Sequence, residues 1–462
     1  MFTLPELAHI TGGTLIGPDT GPVNGISTDS RNIAPGNLFI PLKGEQFDGH
    51  DYIATLTVKR ITACLCTSSW LAQHTPPPSI SCIAVSDTLQ ALGDLAAAWR
   101  KRFALTMIGV TGSNGKTTTK EMLAAILGRL DQGLKTSGNL NNLIGLPQML
   151  FQLKPEHCWA VLEMGMSEPG EIDRLAAIAQ PSIGIVLNAF PAHLQSMGSI
   201  EAIAQAKGEL LHRIKAGGLA VINADDPRIA SLPQNPSARR ISFGIRRGEV
   251  RAEDIQTFGI EGQRFTLKTP KGSIAILLKA LGRHNIYNAL AACAALHEMV
   301  GLEALADGLE LFTPYQGRFH LEQLAGNRIL IDDCYNANPA SCAAALATMQ
   351  EIKGSRRTLV VLGDMLELGP KEEELHRQLG TQAAKVADRL YLLGQLTSHT
   401  ARSAAEAGLS TESIMHTASH EEIINEIITH GAEFDLILIK GSRGMQMEKI
   451  AAALRTAYRQ EA

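Results

Sequence analysis

The stretch IGVTGSNGKTTTKEM, Ile108 to Met122, restricts the fold of this chain more than any other feature of its sequence. An apolar, strand-like run ends at Val110, glycines stand at 112 and 115, and a helix-forming run starts near Lys116. Glycine allows the backbone angles that turn several N–H groups toward one point, and the helix that follows adds its positive N-terminal dipole. The stretch therefore predicts an α/β domain that holds a phosphate group.

This phosphate turn departs in one place from the strict phosphate-binding loop, G-x-x-x-x-G-K-[ST]. Gly115, Lys116 and Thr117 match the end of that pattern, but Val110 stands where its first glycine would be. A glycine-rich connector without a ligand would show a similar pattern. Because strand, turn and helix occur together, we favour nucleotide binding, in which Lys116 reaches the outer phosphates and Thr117 binds magnesium. The predicted nucleotide contacts in the turn are Thr111, Gly112, Ser113, Asn114, Gly115, Lys116, Thr117 and Thr118.

The composition restricts the class of protein and its partners. A chain of 462 residues suggests two to four domains, and a net charge of −4 provides no basic surface for nucleic acid. Seven cysteines without a C-x-x-C spacing are typical of free thiols in a reducing cytoplasm. The N-terminus lacks a signal-peptide pattern, and no apolar run approaches the ~20 residues of a membrane span. We expect a cytoplasmic monomer without a membrane span or a nucleic-acid partner.

Apolar strands alternate with helices from about residue 104, which predicts a parallel sheet covered on both faces. Residues 238–280 alternate with a period of two, and we interpret them as antiparallel strands added to the edge of that sheet. A second alternating unit follows residue 318 and is typical of a Rossmann-like domain without the G-x-G-x-x-G motif. The predicted fold is α/β with three domains. These are a small α/β domain (1–85), a central, doubly wound, mainly parallel domain (86–318) and a Rossmann-like domain (319–462).

Seven stretches along nearly the whole chain resemble the Mur ligase family. They are STDSR (27–31), VTGSNGKTTTKEM (110–122), TSGNLNNLIGLP (136–147), AKGEL (206–210), GRHNIYNALAA (282–292), DDCYNANP (332–339) and KGSRGMQME (440–448). Within the family, YNANP, KGSR and GDMLELG (363–369) are most similar to the member that joins D-alanyl-D-alanine to UDP-N-acetylmuramoyl-tripeptide.

The resemblance implies an ATP-dependent amide ligase of peptidoglycan precursor synthesis. The first domain would bind the UDP end of the substrate, the central domain would bind ATP, and the third would close on ATP and bind the incoming dipeptide. The γ-phosphate would pass to a carboxylate, and an amine would then displace phosphate from the acyl phosphate. The implied partners are UDP-N-acetylmuramoyl-tripeptide, D-alanyl-D-alanine, ATP and Mg²⁺. Whether the third peptide residue is diaminopimelate or lysine stays open.

The resemblance also implies which side chains hold magnesium, namely Thr117, Glu163, His193 and Lys207. Glu163 ends a predicted strand, where an exposed glutamate before a turn is the alternative. A lone histidine such as His193 is more often structural. Lys207 lies on a predicted helix, where a solvated lysine is the simpler interpretation, and the resemblance implies that it is carbamylated and so supports the metal. The implied catalytic residues are Lys116, Glu163, His193 and Lys207.

Other predicted contacts lie farther along the chain. Asn285 and Asn288 are implied to meet the adenine, although His284 or Asn285 is also suited to capping a helix. Arg318 is implied to reach the γ-phosphate on closure, and Asp333 the ribose hydroxyls, with Asp332 as its competitor. The residues implied to bind the peptide substrates are Ser27, Ser30, Arg31, Lys43, Asn139, Asn142, Asn336 and Arg443.

Two alternatives stay open. A ligase of the folylpolyglutamate type would share the central domain, but the ~100 residues ahead of the phosphate turn argue against it. A nucleotide-regulated binding protein without ligase chemistry would not need Glu163, His193 and Lys207 together.

Overall fold

The N-terminal part of the chain forms a five-stranded sheet in the computed structural model, which describes residues 1–191 and 194–459. Its elements are α1 (Leu4–Thr11), β1 (Thr14–Ile16), β2 (Gly25–Ser27), β3 (Asn37–Phe39), a 3₁₀ helix (Gly49–Lys59), β4 (Ala63–Thr67), α2 (Ser68–Leu71), β5 (Ser81–Val85) and α3 (Thr88–Arg100). The strand order is β1-β5-β4-β3-β2, and all pairs except β1 with β5 are parallel.

The central part forms a nine-stranded sheet around the phosphate turn. Its elements are β6 (Thr106–Thr111), α4 (Lys116–Leu127), β7 (Gly133–Lys135), α5 (Gly145–Leu150), β8 (Trp159–Glu163), α6 (Glu171–Ala179), β9 (Ile183–Val186), α7 (Leu194–Met197), α8 (Ile200–His212), β10 (Leu219–Asn223), α9 (Pro227–Ala230), β11 (Arg239–Gly244), β12 (Val250–Thr257), β13 (Gln263–Thr269), β14 (Gly272–Leu278), α10 (Arg283–Leu296) and α11 (Leu302–Glu310). The strand order is β14-β13-β12-β11-β10-β9-β6-β8-β7.

The C-terminal part forms a six-stranded sheet. Its elements are β15 (His320–Leu324), β16 (Arg328–Asp333), α12 (Pro339–Ile352), β17 (Thr358–Gly363), α13 (Glu372–Ala383), β18 (Arg389–Leu393), α14 (Thr397–Glu406), β19 (Ile414–Thr417), α15 (His420–His430), β20 (Leu436–Lys440) and α16 (Glu448–Ala457), with short 3₁₀ helices at Gly369–Lys371, Thr411–Ser413, Gly431–Glu433 and Arg443–Met445. The order is β15-β16-β20-β17-β18-β19, and β15 alone pairs antiparallel.

Helices cover both faces of the central sheet, as the continuous apolar strands predict. One apolar core packs α4 and α10 on one face, and another packs α6 and α8 on the opposite face. The predicted α/β fold is confirmed. One detail is wrong: β11 pairs parallel with β10, and β12 pairs parallel with β11, so antiparallel pairing begins only between β12 and β13. The segment between β10 and β11, which contains α9, returns the chain to the same end of the sheet and allows β11 to run parallel.

Helix α3 belongs to two cores at once. Its start is capped by Asp87, whose side chain accepts from the backbone N–H groups of Leu89 and Gln90. Leu92 and Leu95 pack in the apolar core of the first sheet, whereas Ala96 packs in the core beneath the central sheet. The helix therefore joins the first two sheets through buried apolar contacts. In the described residues, no helix is long and apolar enough to cross a membrane.

Candidate active site

The phosphate turn links β6 to α4 and depends on Gly115. This residue has φ +88° immediately before α4, a left-handed conformation that residues with a side chain rarely adopt. A Cβ at position 115 would lie only 2.2 Å from Asn288 Oδ1. The turn therefore needs glycine here, both for its backbone angle and for the space beside it.

Lys116 begins α4 and folds back over the turn. Its Nζ donates to the Gly112 carbonyl oxygen at 2.7 Å. Burial lowers the pKa of Lys116 to about 8, a shift that Glu163 opposes and Arg318 increases. The side chain is thus a half-buried cation folded against the backbone carbonyl oxygens of the turn, a position that favours pairing with an anion.

Other side chains of the turn make hydrogen bonds within the central part of the chain. Thr111 is fully buried, and its Oγ1 donates to the Met164 carbonyl oxygen at 2.9 Å, which directs that hydroxyl into the protein. Ser113 Oγ donates to the Phe190 carbonyl oxygen at 3.0 Å. Thr118 is half-buried one residue after Thr117.

Glu163 ends β8 beside the start of α4 and is only 2% exposed, which excludes the alternative of an exposed glutamate. Thr117 Oγ1 donates to its Oε2 at 3.3 Å, and Lys120 Nζ lies 3.2 Å from its Oε1. Among the described residues, no hydrogen-bond donor reaches the buried Oε1, since Lys120 approaches it as an ion pair outside hydrogen-bond geometry. A buried carboxylate oxygen without a donor is suited to a cation.

Lys120 is the residue of this cluster that sequence reasoning missed. Its buried ammonium lies 2.8 Å from the Thr136 carbonyl oxygen and 3.0 Å from Glu121 Oε1, in addition to Glu163. Positions i and i+4 share one face of a helix, so its spacing from Lys116 was the available signal. A helical lysine is usually solvated, and the sequence did not distinguish this one.

Lys207 lies in α8 and is only 4% exposed, so the interpretation as a solvated lysine is wrong. In the part of the chain that the structure describes, its ammonium makes no hydrogen bond or ion pair. Burial lowers the pKa of Lys207 well below its usual range, and the charge of Lys116 lowers it further. The neutral amine form is therefore accessible to this side chain.

The predicted magnesium ligands are only partly placed, because His193 lies outside the described residues. No three His, Cys, Asp or Glu side chains of residues 1–191 and 194–459 form a group that could hold a metal ion. Thr117 and Glu163 are nevertheless in contact, and the Oε1 of Glu163, which pairs with Lys120 but accepts no hydrogen bond from the described residues, is a hard oxygen ligand. Mg²⁺ keeps several waters and needs only one or two carboxylates from the protein, so these residues fit it.

Arg318 approaches the start of α4 from the segment before β15. Its Nη2 donates to Thr117 Oγ1 at 3.3 Å, and its guanidinium lies over the ring of Tyr335, 3.8 Å from the centroid. Burial lowers the pKa of Arg318, but arginine stays charged at any physiological pH. The structure therefore brings two cations, Arg318 and Lys116, to the same end of α4.

Asp333 and its competitor Asp332 have different neighbours. The Oδ1 of Asp333 accepts from the Phe319 N–H at 3.1 Å, and its Oδ2 accepts from the buried Lys440 Nζ at 2.7 Å. Asp332 is buried and pairs with Arg455 at 2.6 Å. Because side chains alternate along β16, Asp333 is the one that lies beside the segment carrying Arg318.

Asn285 and Asn288 lie in the buried face of α10 under the phosphate turn. Asn288 Nδ2 donates to Asn285 Oδ1 at 3.1 Å, and Asn285 Nδ2 donates to the Leu281 carbonyl oxygen at 2.8 Å. No side chain caps α10, so the alternative of a capping asparagine is excluded. The pair supports the turn at Gly115 in the structure, and its predicted contact with adenine stays a prediction.

Two predicted peptide-binding residues of the C-terminal part are neighbours. The backbone N–H of Arg443 donates to Asn336 Oδ1 at 3.3 Å, and the buried Lys440 donates to the Asn336 carbonyl oxygen at 3.0 Å. The Arg443 side chain is exposed and pairs with Glu448. In the same loop, Asn338 reaches Asn114 of the phosphate turn, which joins the C-terminal and central parts.

The predicted residues of the N-terminal sheet lie near its surface. Arg31 is 85% exposed and forms an ion pair with Asp29 at 2.9 Å, and hydrogen bonds from Arg31 lower the pKa of Asp29 to about 2. Ser27 Oγ bonds the Asp29 backbone, and the Ser30 carbonyl oxygen accepts from Lys59. Lys43 forms a backbone bridge with Asp48. None of these contacts, which concern described residues, involves the phosphate turn.

The loop 136–147 is the link between those residues and the central sheet. Gln148 Nε2, just after this loop, donates to Thr28 Oγ1 of STDSR at 2.8 Å. Asn142 is exposed, and its Oδ1 accepts from the Gly145 N–H at 2.8 Å at the start of α5, whereas Asn139 faces solvent. The structure thus gathers two groups: the turn with Glu163, Lys207 and Arg318, and STDSR with the loop 136–147.

Comparison with known proteins gives matches along the whole chain. Residues 22–100 match the Mur ligase family catalytic domain, residues 110–296 match the Mur ligase middle domain, and residues 317–443 match the Mur ligase glutamate ligase domain. The chain is 38% identical to the UDP-N-acetylmuramoyl-tripeptide–D-alanyl-D-alanine ligase of Escherichia coli K12 and 36% identical to that of Bacillus subtilis 168. Each alignment covers 98% of both proteins.

The solved structures that superpose on this chain include ligases of the same kind as these relatives. A crystal structure of MurF from Acinetobacter baumannii superposes with a TM-score of 0.88 at 35% identity, over 98% of this chain and 99% of that one. MurF ligase from Thermotoga maritima, solved in complex with ADP, superposes with a TM-score of 0.80 at 27% identity, over 94% and 97% of the two chains.

Proposed function

The chain belongs to the Mur ligase family, and on that premise we propose that it joins D-alanyl-D-alanine to UDP-N-acetylmuramoyl-tripeptide with conversion of ATP to ADP and phosphate. The observation that carries the proposal is the meeting of Lys116, Thr117 and Glu163 with Arg318 at the start of α4. A phosphate turn that receives a half-buried arginine from the segment before β15 is arranged for phosphoryl transfer.

Two bond-forming steps follow from this reaction class. A carboxylate oxygen of the tripeptide attacks the γ-phosphorus of ATP, and ADP leaves. The amine of the dipeptide then attacks the acyl carbon, phosphate leaves and the amine loses a proton. Both reactants of the first step are anions, so their repulsion is a large part of the barrier.

The chain's own cations reduce that repulsion. Lys116 stands inside the turn, and Arg318 lies over Tyr335, whose ring restricts the guanidinium to one orientation. Both side chains are half-buried, and this partial desolvation strengthens their attraction for phosphate oxygens. Preorganised charges of this kind stabilise the transition state without moving during the reaction.

We assign magnesium to Thr117, Glu163, His193 and Lys207. When bound, Mg²⁺ supplies positive charge to the phosphate oxygens. Thr117 and Glu163 support this set because they are in contact and one Glu163 oxygen lacks a donor in the described chain.

Carbamylation of Lys207 is part of the same proposal. CO₂ adds to a neutral amine, and Lys207 is buried, unpaired within the described residues and shifted to a low pKa. The adduct releases a proton and becomes a carbamate anion, which would balance the charge of Lys116. The modification thus converts a buried, unpaired amine into an oxygen ligand.

We further propose that residues 1–85 bind the UDP end, that residues 86–318 bind ATP, with Asn285, Asn288 and Asp333 at the nucleoside, and that residues 319–462 bind the dipeptide. The contact of Thr28 with Gln148 supports a peptide path from STDSR past Asn139 and Asn142 toward the phosphate turn. We place the reaction in the cytoplasm, since all seven cysteines of the described chain are free, as in a reducing compartment.

The test is phosphate release by the purified full-length chain. Release above background should need ATP, UDP-N-acetylmuramoyl-tripeptide and D-alanyl-D-alanine together, and leaving out any one should abolish it. Release without the dipeptide would point to a different acceptor. Release that needs neither peptide substrate would mean that the chain is an ATPase of another kind.

A further inference from the structure

The phosphate turn and the C-terminal part exchange two side-chain hydrogen bonds through a pair of asparagines. Asn338 Nδ2 donates to Asn114 Oδ1 at 2.7 Å, and Asn114 Nδ2 donates to Asn338 Oδ1 at 3.2 Å. The two residues are separated by 224 positions and follow strands of different sheets. Asn338 is only 8% exposed and Asn114 is half-buried, so these bonds are partly shielded from water.

On the central side, Asn114 is fixed along its backbone. Its N–H donates to Asn188 Oδ1 at 2.9 Å, and its carbonyl oxygen accepts from Asn188 Nδ2 at 3.1 Å. Asn114 also precedes Gly115, whose left-handed angle sets the direction of α4. The central domain therefore fixes the backbone of Asn114, whereas its side chain is fixed from outside, by Asn338.

On the C-terminal side, Asn338 is the N-cap of the 14-residue helix α12. Its Oδ1 accepts from the Ser341 N–H at 2.9 Å, and its own N–H donates to Ser341 Oγ at 3.0 Å. This capping box holds the amide in one orientation before it meets Asn114, so little side-chain entropy is lost in the contact.

We propose that Asn338 is a positioning residue for the nucleotide: with the C-terminal domain closed, it fixes the phosphate turn through Asn114 and so increases nucleotide affinity. The inference rests on the proposed nucleotide-binding role of the turn. Coupling of this kind is reciprocal, so a bound nucleotide also favours the closed arrangement.

Asn338→Ser tests the proposal because serine caps a helix about as well as asparagine but has no amide to reach Asn114. We expect ADP to bind the full-length variant roughly 5- to 50-fold more weakly by calorimetry, since two hydrogen bonds are lost. The melting temperature should stay close to that of wild type. The matched control is Ser341→Ala, which removes half of the capping box and leaves the asparagine pair; it should lower the melting temperature and keep the affinity for ADP.

A double-mutant cycle with Asn114→Ala distinguishes coupling from two separate effects. In Asn114→Ala/Asn338→Ser, the affinity for ADP should be no lower than in the weaker-binding single variant. Unchanged ADP affinity in Asn338→Ser, or losses that multiply in the double variant, would overturn the inference. If wild type itself fails to bind ADP, the proposed function fails instead, so the two failures are distinguishable.

Discussion

The phosphate turn and the STDSR loop both follow a strand and both carry charged side chains, but they differ in burial. At the turn, Glu163 is 2% exposed and lies among Thr117, Lys120 and the central sheet. In the loop, Arg31 is 85% exposed and pairs with a neighbour two residues away. The first site is built from buried groups in mutual contact, whereas the second holds its arginine in an exposed ion pair.

This difference in burial determines how strongly the charges of each region interact. An exposed ion pair contributes little, because water and salt screen it. Buried charges interact strongly and are costly to leave unpaired. Substitutions in the turn should therefore have large effects on chemistry, and substitutions in the loop should have small effects on substrate affinity.

The largest effect is expected at Lys207. Lys207→Ala should be almost inactive yet folded, because no other residue supplies the proposed carbamate, and an added short carboxylic acid should restore part of the activity by filling the gap. Lys207→Arg should stay inactive, since arginine keeps its charge and cannot become an anion. Steady-state phosphate release by both variants is the measurement. A fully active Lys207→Arg enzyme would show that this position needs only a cation.

The next effect is expected at Lys116. Lys116→Met keeps the aliphatic stem and removes the charge, which should lower the rate of phosphate release by a factor of about 10²–10³.

The pH dependence of ADP binding gives a second prediction for the same residue. Because the pKa of Lys116 is lowered to about 8, raising the pH through 8 neutralises the side chain and should weaken ADP binding; the protonated form below pH 8 binds the anion. Calorimetry across pH 7 to 9 should show this loss in wild type and not in Lys116→Met. An unchanged rate in Lys116→Met would show that the turn only connects β6 to α4 and does not bind phosphate.

The smallest effect is expected at Arg31. Arg31→Ala breaks an exposed pair, so the free energy of unfolding should change by less than about 0.5 kcal/mol. The KM for UDP-N-acetylmuramoyl-tripeptide should rise several-fold with little change in kcat, because a uniform binding contact is lost. A fall in kcat at unchanged KM would contradict the assignment of this loop to substrate binding.

Sequence reasoning predicted the fold well because its signals are local. The glycine turn, the apolar strands and the α/β alternation gave three α/β units, and the family resemblance carried by the seven motifs is confirmed. The parallel pairing of β11 was missed because a period of two indicates one buried face and does not give strand direction.

The candidate site was predicted less completely, because burial and long-range pairing leave little trace in a sequence. Lys120 and Lys207 are both helical lysines, and only the folded chain shows that both are buried. The bond of Asn338 to Asn114 depends on how two sheets face each other, which no local pattern gives. The roles assigned to Asn285, Asn336 and Arg443 stay predictions.

Helix α3 has a consequence for cutting this protein into pieces. Leu92 and Leu95 fill the core of the first sheet, while Ala96, one residue further, belongs to the core of the second. A fragment that stops at residue 85 would lose this cover and expose an apolar face, and a fragment that starts at residue 86 would carry the same leucines into solvent. Either fragment expressed alone is therefore expected to aggregate. The first two sheets, residues 1–310, should be produced as one piece.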